Sequence, residues 1–361
     1  MKSVKLSRRN FLICIFLVIE TIFLKVFQYN LLPEKYFYDS QKILRIMDGS
    51  SFTDKAYTFT AEFYKKINIF GLSSLVEWSI FISVIFLIIF IPIFSKRELR
   101  DTQVVYVFVS FALMNIFVFN ISKDAIQLSI FLIIYLFFVS SKIDELKKVI
   151  IASVILVIES FYFRTYYLLM GILIISFYII FKFFFYQSNH KKGVKKTGKM
   201  LLLFFLFFMV LIFILQKMSN ENYTLLINAR SSSNLYRDNT DTTTIINDLF
   251  NNTNFGGFII NYVVNSIRIM LPLELLTKGI KYVPFILYQL FFSFILFRNI
   301  KRINISTLPY LAILVSFIMV SIIFEPDYGS LIRHESVLML FVLQLINGDE
   351  NEKSICNNSN I

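Results

Sequence analysis

Repeated apolar runs of about 17 to 20 residues are the feature that most constrains how this chain can fold. The 361-residue sequence is 57% hydrophobic, with 43 Phe and a mean hydropathy of +0.67, which is more apolar surface than a soluble core needs. A membrane barrel would show short alternating segments instead. We therefore predict an all-α, polytopic transmembrane helical bundle of about ten spans. The predicted spans are roughly 10–29, 75–94, 103–120, 125–140, 149–163, 166–185, 200–217, 282–297, 307–324 and 328–346.

The distribution of basic residues predicts how this bundle is oriented. A net charge of +12 would suggest a nucleic-acid partner in a soluble protein, but here the excess of Lys and Arg on the cytoplasmic side explains it. The short loops on the side of the termini carry basic clusters, including 96–100 and 190–199. We therefore expect a single membrane domain over 1–361, with both termini cytoplasmic and outer loops at about 30–74 and 218–281. The second loop contains a stretch broken by Pro272, which we expect to be re-entrant or interfacial.

A charged stretch, Glu325–Glu335, lies between two long apolar runs. It brings Arg333, His334 and Glu335 to the entry of the last predicted span. Charged groups at membrane depth are costly and mark functional sites by default. This stretch is therefore the primary candidate site.

Arginines are frequent in the segments predicted to lie outside, whereas the cytoplasmic side uses mostly Lys. A guanidinium grips phosphate or pyrophosphate through two parallel hydrogen bonds, so these arginines are candidate binding residues. The alternative is that they reach toward lipid headgroups, with neighbouring tyrosines forming an interfacial belt. The outer arginines are Arg45, Arg164, Arg230, Arg237, Arg268 and Arg333.

Two carboxylates near the predicted outer face are candidate general bases for a sugar hydroxyl. Asp39 follows the first span, and Asp124 follows Lys123 at the start of the fourth. The alternatives are an ordinary loop acid for Asp39 and local charge compensation at a helix start for the Lys123–Asp124 pair.

Histidine is scarce, and this limits the chemistry that the chain can carry. His190 lies in the cytoplasmic basic run, so His334 is the only His expected outside. A His-based metal cluster is thereby excluded, while an all-carboxylate metal site stays open, and no nucleotide-binding motif is present. An imidazole can take a proton or donate a hydrogen bond to a phosphate, and the sequence leaves both roles open for His334.

The layout of spans, outer arginines and a sizeable late outer loop resembles bacterial O-antigen and capsular repeat-unit polymerases, the Wzy-type family, and their exopolysaccharide relatives. The specific matches are Ser122-Lys123-Asp124, Arg164-Thr165-Tyr166-Tyr167 and Arg333-His334. The resemblance implies a GT-C-like, inverting, metal-independent glycosyltransferase without a cofactor, in a bacterial cytoplasmic membrane. Such an enzyme moves a growing chain from undecaprenyl pyrophosphate onto the next lipid-linked oligosaccharide repeat unit.

The same resemblance assigns roles to individual residues. It implies that Arg164, Arg230 and Arg333 hold pyrophosphate and that His334 assists. Asp39 and Asp124 stay candidate bases from their positions in the sequence. Arg268, Lys123 and Glu335 complete the expected set of binding residues. Membrane lipid, a flippase and a chain-length regulator are the further partners that the resemblance implies.

Other classes of membrane protein stay open on the sequence alone. Another polyprenyl-linked glycosyltransferase would depend on an acid in the first outer loop, and Asp39 fits that description. A flippase or transporter would line a midplane path with charges and show repeated halves, and neither feature is apparent. A membrane acyltransferase would need a His within a catalytic helix.

Overall fold

The computed structural model describes residues 8–52, 54–188, 206, 209–210, 213, 224, 244–251 and 255–347. Within those residues the chain is all-helical, and its only β-type pairing is an isolated bridge between Ile245 and Asp327. The predicted helical class is therefore confirmed. Most of the predicted span at 200–217, together with Arg230 and Arg237, lies outside the described residues.

The helices follow the apolar runs of the sequence with shifted boundaries. In chain order they are α1 Arg8–Leu31, α2 Tyr38–Met47, α3 Lys55–Ile67, α4 Leu75–Ser95, α5 Asp101–Phe117, α6 Lys123–Val139, α7 Glu145–Ser160, α8 Tyr167–Ser188, α9 Phe255–Met270, α10 Val283–Lys301, α11 Leu308–Phe324, α12 Tyr328–Ser336 and α13 Met339–Asn347. Short 3₁₀ segments occupy Glu34–Phe37, Leu273–Lys278, Ile280–Tyr282 and Ile305–Thr307.

Several of these helices are long and apolar enough to cross a membrane. In the described part of the chain there are five such segments, Arg8–Leu31, Leu75–Ser95, Tyr167–Phe185, Ile280–Lys301 and Ile305–Phe324. Helices α12 and α13 make a sixth if their 71° bend is a break within one span. Helices α5, α6 and α7 have 17, 17 and 16 residues, short of the roughly 20 that an upright span needs. The helices thus support a multi-pass membrane protein, and ten spans stay a prediction.

The chain divides into two compact units, each built from separate stretches of sequence. The first unit comprises Met1–Ile134, Ile158–Thr165 and Arg333–Met339. The second comprises Tyr135–Val157, Tyr166–Ile332 and Leu340–Ile361.

Aromatic packing holds the first unit together around α1, α4 and α5. Phe90 stacks on Phe94 with ring centroids 5.7 Å apart and meets Phe111 edge to face at 5.5 Å. Phe119 stacks on Phe86 at 5.0 Å. All five rings are buried, so the abundance of Phe in the sequence becomes a packed aromatic core in this unit.

Helix α11 is the centre of the second unit, because it is buried along nearly its whole length and packs against α8. Helices α7 and α8 approach closely at Gly171. A Cβ atom there would lie 3.1 Å from the Ser153 carbonyl oxygen, and the Ser153 hydroxyl donates to the Gly171 carbonyl oxygen at 2.8 Å. A small residue is therefore needed at this crossing.

The segment predicted as the first outer loop, 30–74, folds into helices α2 and α3, which pack against each other. Asp54 caps α3 by accepting a hydrogen bond from the Ala56 amide at 2.9 Å. Ala61 and Tyr64 are buried. They follow Tyr57 by one and two helical turns, so this face of α3 points inward.

The turn between α5 and α6 is fixed from two sides. The Lys25 ammonium donates to the Asn115 and Phe119 carbonyl oxygens at 2.6 and 2.8 Å, which satisfies the end of α5. The Tyr64 hydroxyl donates to the Ser122 carbonyl oxygen at 2.9 Å. These contacts hold the first residues of α6 in place, and two predicted site residues lie there.

Candidate functional site

The site is built around Asp124, in the first turn of α6. Ser122 caps this helix, since its hydroxyl accepts the Ala125 amide at 3.1 Å. The carboxylate of Asp124 is favoured there because the helix N-terminus carries partial positive charge. Its side chain is only 3% exposed, so it needs partners within the protein.

Those partners come from two distant parts of the sequence. Arg164 Nη2 donates to Asp124 Oδ1, and Arg333 Nε lies 3.0 Å from Asp124 Oδ2. His334 Nε2 lies 3.3 Å from Asp124 Oδ1. We call these residues, Asp124, Arg164, Arg333 and His334, the Asp124 cluster. A single buried carboxylate thus gathers two guanidinium groups and an imidazole.

Local structure explains how the cations reach Asp124. Arg164 lies in a tight turn just after α7, where the Tyr162 and Phe163 amides both donate to the Glu159 carbonyl oxygen at 3.0 Å. Arg333 and His334 lie in the last turn of α12. The Ser336 hydroxyl donates back to the Arg333 carbonyl oxygen at 2.7 Å, where α12 ends and the chain bends into α13. The predicted last span at 328–346 is therefore broken beside its charged residues.

His334 lies between Arg164 and Asp124. Its Nε2 lies 2.9 Å from Arg164 Nη1 and 3.3 Å from Asp124 Oδ1. A guanidinium only donates and a carboxylate only accepts, so the tautomer decides whether Nε2 accepts from Arg164 or donates to Asp124. Either hydrogen bond fixes the imidazole beside both groups.

Arg333 connects this cluster to Asp39, near the start of α2. Its Nη1 donates to Asp39 Oδ2 at 3.3 Å, and the Tyr57 hydroxyl donates to Asp39 Oδ1. Burial raises the pKa of the Asp39 carboxyl, but the charges of Arg333 and Lys123 and the bond from Tyr57 outweigh it, so the pKa is lowered overall. Asp39 is therefore ionised at neutral pH, and with 35% of its side chain exposed it is far more accessible than Asp124.

The Tyr57 ring brings two ammonium groups to the same place. Lys123 Nζ lies 3.6 Å from the ring centroid and Lys42 Nζ lies 3.8 Å from it. Burial, followed by the charge of Asp39, raises the pKa of Tyr57, which keeps the hydroxyl protonated as a donor. We call Asp39, Tyr57, Lys42 and Lys123 the Asp39 group.

The structure brings together most of the residues that the sequence singles out. Asp39, Lys123, Asp124, Arg164, Arg333 and His334 all belong to the two connected groups in the first unit. Glu335 also belongs to that unit and is fully buried.

Two other predicted residues have different outcomes. Arg268 belongs to the second unit, where Nε and Nη2 each lie 2.8 Å from a Glu274 carboxylate oxygen and Nη1 donates to the Asn247 carbonyl oxygen at 2.6 Å. Arg230 lies outside the described residues, so its predicted role stays a prediction.

Sequence reasoning missed Tyr57, Tyr64 and Lys42. All three lie in the segment that was predicted only as a polar outer loop. The signal was present, because Asp54 is a good helix cap and Tyr57, Ala61 and Tyr64 recur at helical spacing after it. An amphipathic helix in this loop would have pointed to Tyr57.

The arrangement is suited to binding an anionic group. Four cationic side chains, Lys42, Lys123, Arg164 and Arg333, face the two carboxylates Asp39 and Asp124. Among the residues that the structure describes, no group of three or more His, Cys, Asp and Glu side chains is arranged to hold a metal ion. No family model matches the sequence, and neither a curated protein nor a solved structure matches it significantly.

Proposed function

We propose that this protein is a membrane glycosyltransferase that polymerises undecaprenyl-pyrophosphate-linked oligosaccharide repeat units into O-antigen or capsular polysaccharide. The observation that carries the proposal is the Asp124 cluster. A buried carboxylate that orients two arginines and a histidine, beside a second and more accessible carboxylate, suits the departure of a pyrophosphate from a sugar.

Electrostatics gives the arginines their role. As the glycosidic bond to pyrophosphate breaks, negative charge grows on the departing phosphate oxygen, and donors already fixed in place stabilise it without reorganising. Arg164 and Arg333 are held by Asp124, and a guanidinium carries five N–H donors in a rigid fork that matches a phosphate. Lys123 adds charge beside them. A GT-C-like fold and metal-independent chemistry belong to this proposal.

The proposed step is a direct displacement. The acceptor sugar hydroxyl attacks the anomeric carbon, a new C–O bond forms, and the bond from that carbon to the phosphate oxygen breaks. The lipid pyrophosphate leaves with the electron pair, and the hydroxyl proton passes to Asp39. Asp39 fits the role of base better than Asp124, because Asp124 is enclosed by its cationic partners.

The proposed location follows from the substrate. A polyprenyl-linked sugar lies in the cytoplasmic membrane, and we propose that the site faces outward with both termini in the cytoplasm. A flippase that delivers the repeat units and a regulator of chain length are the partners that this reaction would require.

Surface polysaccharide on a gel tests the function. Deleting the gene is expected to collapse a ladder of chain lengths to a single repeat unit, and the wild-type gene is expected to restore the ladder. The purified protein in nanodiscs should also lengthen lipid-linked repeat units without added cofactors. Loss of all surface sugar in the deletion, with no elongation by the purified protein, would instead favour a flippase.

Reporter fusions test the orientation independently. A reporter that is active only outside the membrane should be silent when fused after Lys199 and active when fused near Asn239. The opposite pattern would put the Asp124 cluster on the cytoplasmic side and overturn the proposal.

A further inference from the structure

An apolar groove lies between α1 and α4, at the end of the first unit where α1 begins and α4 ends. Phe11, Ile15 and Val18 line it from α1, and Ile91 and Ser95 line it from α4. Its volume is about 390 Å³, which is within the range of pockets that hold ligands. The groove is therefore a candidate binding site outside the Asp124 cluster.

The polar side chains that line this groove already have partners in the protein. The Ser95 hydroxyl donates to the Pro92 carbonyl oxygen at 3.1 Å, and the Cys14 thiol lies 3.9 Å from the Ile91 carbonyl oxygen as a weak donor. Ile19, which also lines the groove, is 54% exposed. The groove thus presents an accessible apolar surface, which suits a hydrocarbon chain.

Polar contacts between the two helices fix this end of the groove. Asn10 is buried, and its Nδ2 donates to the Ser95 and Arg97 carbonyl oxygens at 3.1 and 2.6 Å. Arg9 Nη2 lies 2.6 Å from Asp101 Oδ1. These contacts hold the start of α1 against the end of α4, so the groove keeps its width where it meets the charged residues.

Positive charge collects at the same end. Arg8 lies one turn before Phe11 on the same face of α1, and Lys96 directly follows α4; both are exposed. Long side chains lean toward the N-terminus of their helix, so Arg8 extends away from the apolar groove. Together, residues 8–9 and 96–101 carry five cations and two carboxylates, a net charge of +3.

We propose that this groove binds one anionic phospholipid, with an acyl chain between α1 and α4 and the phosphate at Arg8 and Lys96. The lining extends from Phe11 to Ile19, about 12 Å along α1, which fits within one leaflet of a hydrocarbon core about 30 Å thick. A phospholipid acyl chain matches that length better than the longer chain of a polyprenyl lipid. A basic rim beside an apolar groove is the arrangement that recognises an anionic headgroup.

The phospholipid site is separate from the candidate functional site. Helix α1 has 24 residues and is about 36 Å long, and Asp39 follows its other end. The phosphate at Arg8 therefore takes no part in the proposed glycosyl transfer. Binding can be measured without any elongation, so this proposal does not rest on the proposed function.

Native mass spectrometry of the full-length protein tests the headgroup contact. In neutral detergent with equal amounts of palmitoyl-oleoyl phosphatidylglycerol and phosphatidylcholine, the wild type should retain one phosphatidylglycerol in preference. Arg8→Gln and Lys96→Gln should each lower this preference about fivefold, because each removes one cation beside the phosphate.

Lys301→Gln is the matched control. It removes an exposed cation from the end of another helix long enough to cross a membrane, Ile280–Lys301, and should keep the preference of the wild type. Equal preferences in Arg8→Gln, Lys96→Gln and Lys301→Gln would overturn the headgroup contact.

Filling the groove tests the acyl chain separately from the phosphate. Ile91→Phe places a larger side chain in the groove and should reduce retention of both lipids. Ile80→Phe makes the same change at a position on α4 that is 48% exposed, and should retain both. If Ile91→Phe retains lipid like the wild type while Arg8→Gln does not, the phosphate binds without the groove and the proposal is wrong.

Thermal unfolding checks that the variants fold and repeats the measurement in another form. A ligand that binds only the folded protein raises its unfolding temperature. Phosphatidylglycerol should therefore stabilise the wild type and Lys301→Gln more than Arg8→Gln. The same increase in all three proteins would contradict a site at Arg8.

Competition identifies the lipid. Undecaprenyl pyrophosphate should leave the phosphatidylglycerol in place; if it displaces that lipid from the wild type, the groove belongs to the substrate and the phospholipid assignment is wrong. Failure of the proposed function gives a different result. Elongation without a preference for phosphatidylglycerol would remove only this site, whereas the preference in a protein that elongates nothing would remove only the polymerase.

Discussion

Two arginine–carboxylate arrangements in this protein pair their charges in different ways. In the second unit, Arg268 and Glu274 form a matched pair with two parallel contacts of 2.8 Å, and the Tyr328 hydroxyl donates to the same carboxylate at 2.9 Å. In the first unit, Asp124 is shared among Arg164, Arg333 and His334. The Arg268–Glu274 pair is balanced in charge, whereas Asp124 carries one negative charge against the two guanidinium groups of Arg164 and Arg333.

We propose that this difference separates an arginine that stabilises the fold from arginines that bind a ligand. In a one-to-one bidentate pair, the guanidinium directs its two parallel N–H donors at its own carboxylate, so fewer donors remain for a ligand. A shared carboxylate fixes several cations and neutralises only one charge. Position in the sequence does not distinguish Arg268 from Arg333, because both are predicted to lie at the outer face. The pattern of partners does.

Replacing the two carboxylates is the strongest way to test this comparison. Asp124→Asn removes the buried carboxylate that Arg164 and Arg333 share, although Arg333 keeps Asp39, so we expect a loss of about 3–5 kcal/mol in the free energy of unfolding. Glu274→Gln should cost less than about 1 kcal/mol, because the Arg268–Glu274 pair is partly exposed. Thermal unfolding of the purified proteins in nanodiscs measures both. Equal destabilisation would mean that the two arrangements are alike.

Replacing the arginines by lysine tests function with the charge retained. Arg333→Lys keeps the positive charge and loses the fork, so we expect about a hundredfold loss of elongation at normal membrane levels. Arg268→Lys should keep elongation within about threefold. Full activity in Arg333→Ala would instead make Arg333 a lipid anchor.

Substitutions of His334 test whether its imidazole orients Arg164 in the Asp124 cluster. If its Nε2 accepts a hydrogen bond from Arg164, His334→Gln should retain elongation within about threefold, because an amide oxygen can accept the same bond. His334→Ala should lose about tenfold, since Arg164 then keeps Asp124 as its orienting partner and loses the imidazole. Elongation assays on proteins of matched thermal stability measure both. If His334→Gln is as inactive as His334→Ala, the imidazole has a role in proton transfer.

The sequence identifies most residues of the candidate site, but it does not show which of them contact one another. Hydrophobic runs predict helices well, because a helix long enough to cross a membrane is apolar over about 20 consecutive residues. Charges at the predicted span ends singled out Asp39, Asp124, Arg164, Arg333 and His334. Their partners were not predictable, since pairings between residues 18 to 294 positions apart depend on packing that periodicity does not record.

The failures have particular physical causes. The predicted last span at 328–346 became two helices with a 71° bend, because polar side chains in its first half bond locally and α12 ends at Ser336. The segment predicted as the first outer loop contains two helices that are amphipathic rather than apolar, so a search for membrane spans passes over α3 and Tyr57. No pattern in the sequence predicts that Lys25 donates to the carbonyl oxygens at the end of α5.

The smallest expected effect is the pH dependence of the Arg268–Glu274 pair. Burial raises the pKa of Glu274, but the hydrogen bonds from Arg268 and Tyr328 outweigh it, and the pKa is lowered. A carboxyl whose folded pKa is lowered contributes its full stabilisation above its unfolded pKa of about 4.3, and this contribution is lost as the pH falls through the lower folded value. Because the pair is partly exposed, the amount is about 1 kcal/mol or less.

Glu274→Gln isolates this contribution. The variant should unfold at a slightly lower temperature than the wild type at about pH 7, and the difference should shrink as the pH falls below about 4. Arg268→Lys serves as the matched control, since it weakens the same pair from the other side and should show the same sign. A difference that grows in acid would mean that the Glu274 carboxyl is stabilised in its neutral form, and the contrast with the Asp124 cluster would then lose its electrostatic basis.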